Sequence, residues 1–337
     1  FGSSRFGSKR RRCHAPLPSR HQGSAAPMAM HTEASGPGSR AAGCQALAAG
    51  LRALQAQGLL CDVTLAAGSE RVHAHQVVLA AASTRLCQYF AKFVKAAGAP
   101  PEPLELQLQG LQQPEAARAV LEHAYAGGAE VARERLSTDL AALAAAFALP
   151  GLQAAGTSTD LAACCEALAE GLRSLRSKGL LCDIAICVGG QRILAHQAVL
   201  AAVSPPFRRY LVEGIDDLLG QRGAAGPGDA ASAGLSAEPV ELEVPGISHA
   251  EAVHAMLDDV YGASGAKADC LSATEAAIRD MLRLATALEL PRLRERAAQW
   301  LAQGVGEANA AERIAVCEEF GFAALRERIA GQRAAAA

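Results

Sequence analysis

Two segments of the chain open with leucines at the same helical spacing. Leu47, Leu51 and Leu54 recur at i, i+4 and i+7, and so do Leu168, Leu172 and Leu175. That spacing lines one face of an α-helix. Each helix is predicted to stop at a glycine, Gly58 or Gly179. A short apolar run opened by an aspartate follows, Asp62-Val-Thr-Leu-Ala. Gly68-Ser69 then reads as a turn and Arg71-Val-His as a returning strand, which makes a β-hairpin; Gly189-Gly190 is the turn in the second segment. Residues 75–83 and 196–204 are rich in Ala, Val and Leu and predict a buried helix. Ser83 and Ser204 suit the N-cap of a further helix, and Pro205-Pro206 suits its first turn. Leu86, Tyr89, Phe90 and Phe93 give that helix an apolar face, as do Phe207, Tyr210 and Leu211 in the second segment.

The two segments are one text written twice. Residues 58–83 and 179–204 align without a gap at an offset of 121, and fifteen of the 26 positions are identical. A repeat of that length means a duplicated module of about 120 residues. Further on the offset becomes 136. Pro103-Leu-Glu-Leu then matches Pro239-Val-Glu-Leu, Gly110 matches Gly246, and Tyr125 matches Tyr261. The second copy therefore holds a 15-residue insertion, placed in the Gly/Ala/Ser-rich stretch 220–238, which reads as a flexible loop. The matched block predicts a strand and then a helix, 114–124 or 250–260, ending at the tyrosine.

Past the tyrosines the copies are expected to diverge. Copy one offers one helix, 136–148, before Pro150. Copy two offers helices at about 272–288, 292–303 and, as a pair, near 310–332. Leu293, Ala297, Trp300 and Leu301 form one apolar stripe, and Ile314, Cys317 and Phe320 suggest another. The expected organisation is a disordered tail over 1–40, a first module over 44–153, a linker over 154–164, a second module over 165–290 and C-terminal helices over 291–333. The chain opens on Phe1, not on a methionine, so a further module upstream is left open.

Composition narrows the function. Aromatic residues are 4 % of the chain, too few for a base-stacking platform. The net charge is −2, and no module carries a basic face, so neither nucleic acid nor an anionic membrane is an expected partner. The basic run Lys9-Arg10-Arg11-Arg12 reads either as a nuclear address or as a solvated part of the tail. No apolar stretch reaches the length of a membrane span, and the signature of a signal peptide is missing. The ten cysteines are scattered, without CxxC; Cys61 and Cys182 read as small hydrophobes within strand patterns. A reducing compartment, cytoplasmic or nuclear, is the expected location.

The polar residues give no reaction centre. His73-Ala-His75 could in principle share a metal, but copy two has Leu194 in place of His73. Ser83 and Ser204 lie outside G-x-S-x-G, and Gly189-Gly190 lacks the lysine of a phosphate loop. No enzyme activity, cofactor, metal or small-molecule substrate is expected. Asp62 with His75 and Asp183 with His196 keep one spacing, thirteen residues, in both copies. A buried carboxylate needs hydrogen bonds whatever its task, so these pairs have a structural reading beside an interface reading.

Residues 58–83 and 179–204, with their Cys-Asp strand and the Ala-His helix ending Leu-Ala-Ala-x-Ser, closely resemble the opening of a BTB/POZ domain. The later Glu-Leu strand and the helix ending at Tyr125 or Tyr261 resemble the middle of that family. Trp300-Leu301, Asn309 and Phe320-Gly321 resemble, more weakly, the helical BACK segment that follows BTB in many adaptors. The resemblance implies an α+β fold of two mostly helical BTB/POZ domains, each with a small sheet, plus C-terminal helices. It implies homo- or heterodimerisation with other BTB chains and, in many members, recruitment of the cullin scaffold of an E3 ubiquitin ligase; others build transcriptional co-repressor complexes or channel tetramers, and a scaffold in a transcriptional or cytoskeletal complex is the alternative expected of this chain. It places Asp62, His75, Asp183 and His196 near the family's dimer interface. Cullin recruitment in the family uses a hydrophobic-x-Glu element. Its counterpart in copy two is Ile215-Asp216-Asp217, with Asp for Glu, and in copy one Val94-Lys95-Ala96, which lacks the acid. A plain helix end with solvated acids is the other reading of Ile215 and Asp217.

Overall fold

The computed structural model describes residues 37–97, 103–108, 115–126, 138–149, 160–214, 239–263 and 274–336. All of them belong to one compact unit, Ser35–Ala337. Copy one comprises α1 (Pro37–Ala56), β1 (Val63–Ala67), β2 (Glu70–Ala74), α2 (Gln76–Ala82), α3 (Thr84–Ala97), β3 (Leu104–Gln107), α4 (Glu115–Ala124) and α5 (Thr138–Ala146). Copy two repeats the order as α6 (Leu161–Ser177), β4 (Ile184–Val188), β5 (Gln191–Ala195), α7 (Gln197–Val203), α8 (Pro205–Glu213), β6 (Val240–Glu243), α9 (Ala250–Val260) and α10 (Glu275–Ala287). It continues into α11 (Pro291–Ala302), α12 (Glu307–Glu319) and α13 (Ala323–Ala336). Residues 37–40, expected in the tail, open α1, and residues 161–164, expected in the linker, open α6. The rest of the expected tail and the 220–238 insertion lie outside the described residues.

Each copy carries a three-stranded sheet, ordered β2-β1-β3 and β5-β4-β6. The hairpin is antiparallel, with Leu65 opposite Val72 and Ile186 opposite Ile193. The third strand joins in parallel, with Leu65 opposite Leu106 and Ile186 opposite Leu242. A parallel neighbour needs a crossover, and the two helices between β2 and β3 supply it. Cys61 and Cys182 stand just before β1 and β4, half-buried, and not within the strands.

The copies stay alike further than their sequences suggest. Ser204 accepts from Phe207 N at 3.3 Å as the cap of α8, and its hydroxyl donates to Leu288 O at 2.8 Å, beyond α10. Ser83 likewise accepts from Leu86 N at 3.1 Å and donates to Phe147 O, beyond α5. After α5 the chain turns through Ala148 at φ 51°, and after α10 through Glu289 at φ 54°. Copy one is followed within a dozen residues by Leu161, the start of α6. Copy two goes on, and Arg313 ties the added helices down: its Nε lies 3.0 Å from Glu275 Oε1 on α10, and its Nη1 donates to the Leu301 and Gln303 carbonyls at the end of α11.

The two copies pack on each other. Helix α1 lies against α6 and α7, and α2 lies against α6. Cys44, early in α1, and Arg173, late in α6, bond the same turn: Cys44 Sγ donates to Gly262 O at 3.6 Å and Arg173 Nη1 to Tyr261 O at 2.9 Å. The two helices therefore run antiparallel. A single apolar core runs from Leu47, Leu51 and Leu54 through to Leu168, Leu172 and Leu175. The approach is close enough to need glycine. A Cβ on Gly50 would stand 2.0 Å from Ala202 O, and one on Gly171 would stand 2.5 Å from Ala81 O.

Replacing a helical glycine with alanine ordinarily stabilises by about 0.5–1 kcal/mol. At Gly50 and Gly171 the sign reverses, because the new methyl meets backbone that cannot swing aside. Gly50→Ala and Gly171→Ala are each expected to cost about 1–3 kcal/mol. Gly331→Ala, in α13 with open space around it, is expected to be neutral or slightly stabilising. Chemical denaturation of the three variants checks the contrast.

Candidate interaction site

Asp62 gathers four elements. Its backbone N–H donates to Ala74 O at 3.2 Å, and its carbonyl accepts from Leu104 N at 3.0 Å, fixing β2 and β3 beside β1. The carboxylate Oδ1 accepts from Gln76 N, the first residue of α2, at 2.6 Å, and Gln76 Nε2 donates back to Asp62 O at 3.1 Å. Copy two repeats the set: Gln197 N to Asp183 Oδ1 at 2.7 Å, Gln197 Nε2 to Asp183 O at 3.1 Å, and Val240 N to Asp183 O at 3.0 Å.

The histidines bond elsewhere. His75 Nε2 faces Leu59 O at 3.0 Å, and a carbonyl only accepts, so the ring proton sits on Nε2. Nδ1 is then free to accept from the Tyr125 hydroxyl at 2.6 Å, and that hydroxyl accepts from His75 N at 2.9 Å. His196, Leu180 and Tyr261 repeat the loop at 3.0, 2.7 and 3.0 Å. Each histidine thus ties the segment before β1 or β4 to the last turn of α4 or α9. The sequence pairs Asp62 with His75 and Asp183 with His196. The structure brings each pair together at the base of its hairpin, where α2 or α7 begins, on separate hydrogen-bond circuits.

A third member was missed in the sequence. Arg52 Nη1 donates to Tyr125 O and Ala126 O, both at 3.0 Å, and Arg173 Nη1 donates to Tyr261 O at 2.9 Å. Both arginines thereby satisfy carbonyls at a helix C-terminus. The signal was present: Gly50-Leu-Arg and Gly171-Leu-Arg recur at the offset of 121.

Burial decides the charge of the carboxyls, imidazoles and thiols in the site. Burial pushes the Asp62 carboxyl up to about 7, with the nearby Asp183 adding to the shift, and burial pushes Asp183 itself up to about 7. Among the described residues neither carboxylate has a cation at ion-pair distance. Burial holds His75 and His196 down at about 4, so both rings are neutral. Cys61 Sγ lies 3.8 Å from His75 Nε2, and Cys182 Sγ 3.6 Å from His196 Nε2. These are no thiolate–imidazolium pairs, because burial pushes both thiols up to about 12. His73 Nδ1 is engaged with Thr64 Oγ1 at 3.0 Å, and the described residues hold no metal-binding cluster.

The Asp/His circuits lie beside the pairing of the copies, since α2 and α7 begin at them. Ile215, Asp216 and Asp217 lie outside the described residues, as do the side chains of Val94, Lys95 and Ala96. Just before Ile215, α8 ends at Glu213 with Gly214 in the left-handed region, at φ 63°. No helix among the described residues is long and apolar enough to cross a membrane.

Comparison with known proteins agrees with this architecture. The BTB/POZ domain model matches residues 51–159 and again 172–304. Kelch-like protein 35 of Mus musculus is 34 % identical over 175 residues, 51 % of this chain and 27 % of that protein. Zinc finger and BTB domain-containing protein 3 of Homo sapiens is 48 % identical over 46 residues, 14 % of this chain and 8 % of that protein. Zinc finger and BTB domain-containing protein 7A of Gallus gallus is 29 % identical over 124 residues, 37 % of this chain and 18 % of that protein. The matches span about a quarter or less of the length of these relatives.

The raised carboxyls carry a pH signature. A group that holds its proton more tightly when folded contributes stability below its unfolded value, 3.8 here, and loses it as pH climbs through the folded value, about 7. Asn at either position keeps an oxygen for the Gln76 or Gln197 N–H and cannot titrate. The stability of the wild type relative to Asp62→Asn/Asp183→Asn is therefore expected to fall between about pH 4 and pH 7, by about 1 kcal/mol per pH unit or more. Urea unfolding of both proteins across that range measures it, and a relative stability that rises with pH contradicts the assignment.

Proposed function

The chain belongs to the BTB/POZ domain family, and on that premise we propose that it is an adaptor that works by binding other proteins, recruiting the cullin scaffold of an E3 ubiquitin ligase through its second copy. The observation that carries the reading is the asymmetry between two otherwise equal modules. Copy two continues into α11–α13 on the same core, and Arg313 fastens those helices to α10. Copy two also keeps the hydrophobic-x-acid sequence at Ile215–Asp217, where copy one has Val94-Lys95-Ala96. In this reading that element is the recruiting contact and α11–α13 are a BACK-like support. Copy one then serves as a structural partner. Asp62, His75, Asp183 and His196 act in this reading by shaping the paired modules, not by touching the recruited protein. The cysteines Cys44, Cys61, Cys87, Cys164, Cys165, Cys182, Cys187 and Cys317 are free, which suits a reducing cytoplasmic or nuclear setting.

A second reading is a scaffold in a transcriptional or cytoskeletal complex, without a ligase. It is favoured by Asp217 standing where the recruiting element has Glu. A pull-down of cullin separates the two. The wild type is expected to capture cullin, and Ile215→Ala/Asp217→Lys, with an unchanged melting profile, is expected to lose at least tenfold in capture. A wild type that captures none leaves the scaffold reading.

A further inference from the structure

We infer that this chain is a fused dimer: copy one is the built-in pairing partner of copy two, and the face through which one module would pair with a module of another chain is filled from within.

The contact has the form of a two-fold interface. In such an interface one patch meets its own copy, so that if residue i touches j, the partner's j touches i. Gly50 meets Ala202, and Gly171 meets Ala81. Gly171 is the counterpart of Gly50 and Ala202 that of Ala81 at the repeat offset of 121. At the level of elements the relation is the same: α1 packs on α7 while α2 packs on α6, and α1 crosses its own counterpart α6. Two separate copies of one module would make this geometry about a symmetry axis. Here one chain makes both halves.

The interface is also closed. Cys44, Leu47, Ala48, Leu51 and Leu54 on α1 have 0 % exposure, and Ala169 and Leu172 on α6 likewise. Methyl groups cannot be fitted at the two glycines without displacing backbone, so no room is left for a further helix. A competing module would have to expel copy one entirely. Covalent linkage raises the effective concentration of the internal partner to about the millimolar range. A free module of equal affinity at micromolar concentration then loses by about a thousandfold.

The fit also separates copy one from copy two. Gly43 of α1 sits against the Arg292 guanidinium of α11, where a Cβ would be 1.6 Å from Nη1. The counterpart of Gly43 in α6 is Cys164, which has a side chain. The Arg292 guanidinium, 3.9 Å from Asp259, occupies the space that copy one leaves open by having no side chain there. The nearby Cys44 Sγ donates to Gly262 O at 3.6 Å. Copy one is thus shaped for copy two and for its C-terminal helix. If copy two is the recruiting copy, as proposed above, each chain holds one such element and binds its partner one to one.

Light scattering on the full chain at micromolar concentration is expected to give the mass of one chain, 34.7 kDa. Two differently tagged versions, co-expressed, are expected not to co-purify. A mass of two chains that persists on dilution, or co-purification of the tags, overturns the proposal. Gly50→Leu/Gly171→Leu provides the second arm. It is expected to lose the compact one-chain species, with earlier unfolding and faster proteolysis, and a variant that stays compact, monomeric and equally stable also overturns it. None of these readouts involves cullin, so failed cullin capture would remove the ligase reading and leave this one standing.

Discussion

Backbone meets backbone where Gly50 lies under Ala202 and Gly171 under Ala81, and much of the molecule is arranged around that closeness. Helices packed through long side chains sit 8–10 Å apart; removing the side chains at the crossing draws them in. Drawn in, α1 can bury Leu47, Leu51 and Leu54, and α6 can bury Leu168, Leu172 and Leu175, within one core shared by both copies. The cost falls on the helices, since glycine inside a helix gives up about 0.5–1 kcal/mol against alanine. Both copies retain that cost, in α1 and in α6, which makes sense only if both helices are used for the crossing.

The Asp and His circuits stand one step behind the crossing. Helices α2 and α7 each have only seven residues, too few to hold their shape alone. Asp62 and Asp183 fix their first N–H groups, and Ser83 and Ser204 receive the chain at the other end. His75 and His196, through Tyr125 and Tyr261, anchor the same turns to α4 and α9. With every donor and acceptor of these rings engaged, the pairing helices are presented in fixed positions. The histidines that look most reactive in the sequence are thus held neutral by burial, and they and the aspartates are spent on positioning.

Local structure was legible in the sequence because its determinants are local. The leucine spacing marks α1 and α6, Gly68-Ser69 and Gly189-Gly190 mark the hairpin turns, and the Ser and Pro caps mark α3 and α8. The parallel addition of β3 and β6 was not legible, since strand direction depends on how the intervening helices cross the sheet. Nor was the bonding of His75 to Tyr125, fifty residues away. The similarity of α5 and α10 was hidden for another reason. What they share is backbone geometry, a left-handed residue at Ala148 and at Glu289 after a carbonyl bound by a serine hydroxyl, and different side chains satisfy it. The site was half-legible: the recurring Asp and His were found, but their partners Arg52, Arg173, Gln76 and Gln197 became visible only with the fold.

Duplication followed by fusion changes what each copy is free to become. In a dimer of identical chains any substitution appears on both sides of the axis, so a residue good for one role must be tolerated in the other. Within one chain the two sides vary separately. Gly43 against Cys164, Gln55 against Arg176 and Ala96 against Asp217 are such separations. Arg176 stacks over the Tyr261 ring at 5.0 Å and pairs with Asp258 at 3.2 Å, while Gln55 donates to His73 O at 2.9 Å. The features both copies keep, the crossing glycines and the Asp, His, Tyr and Arg circuits, are those the fold and the pairing require of each half. What they do not share is free to differ, and one half carries added helices without disturbing the contact that holds the two together.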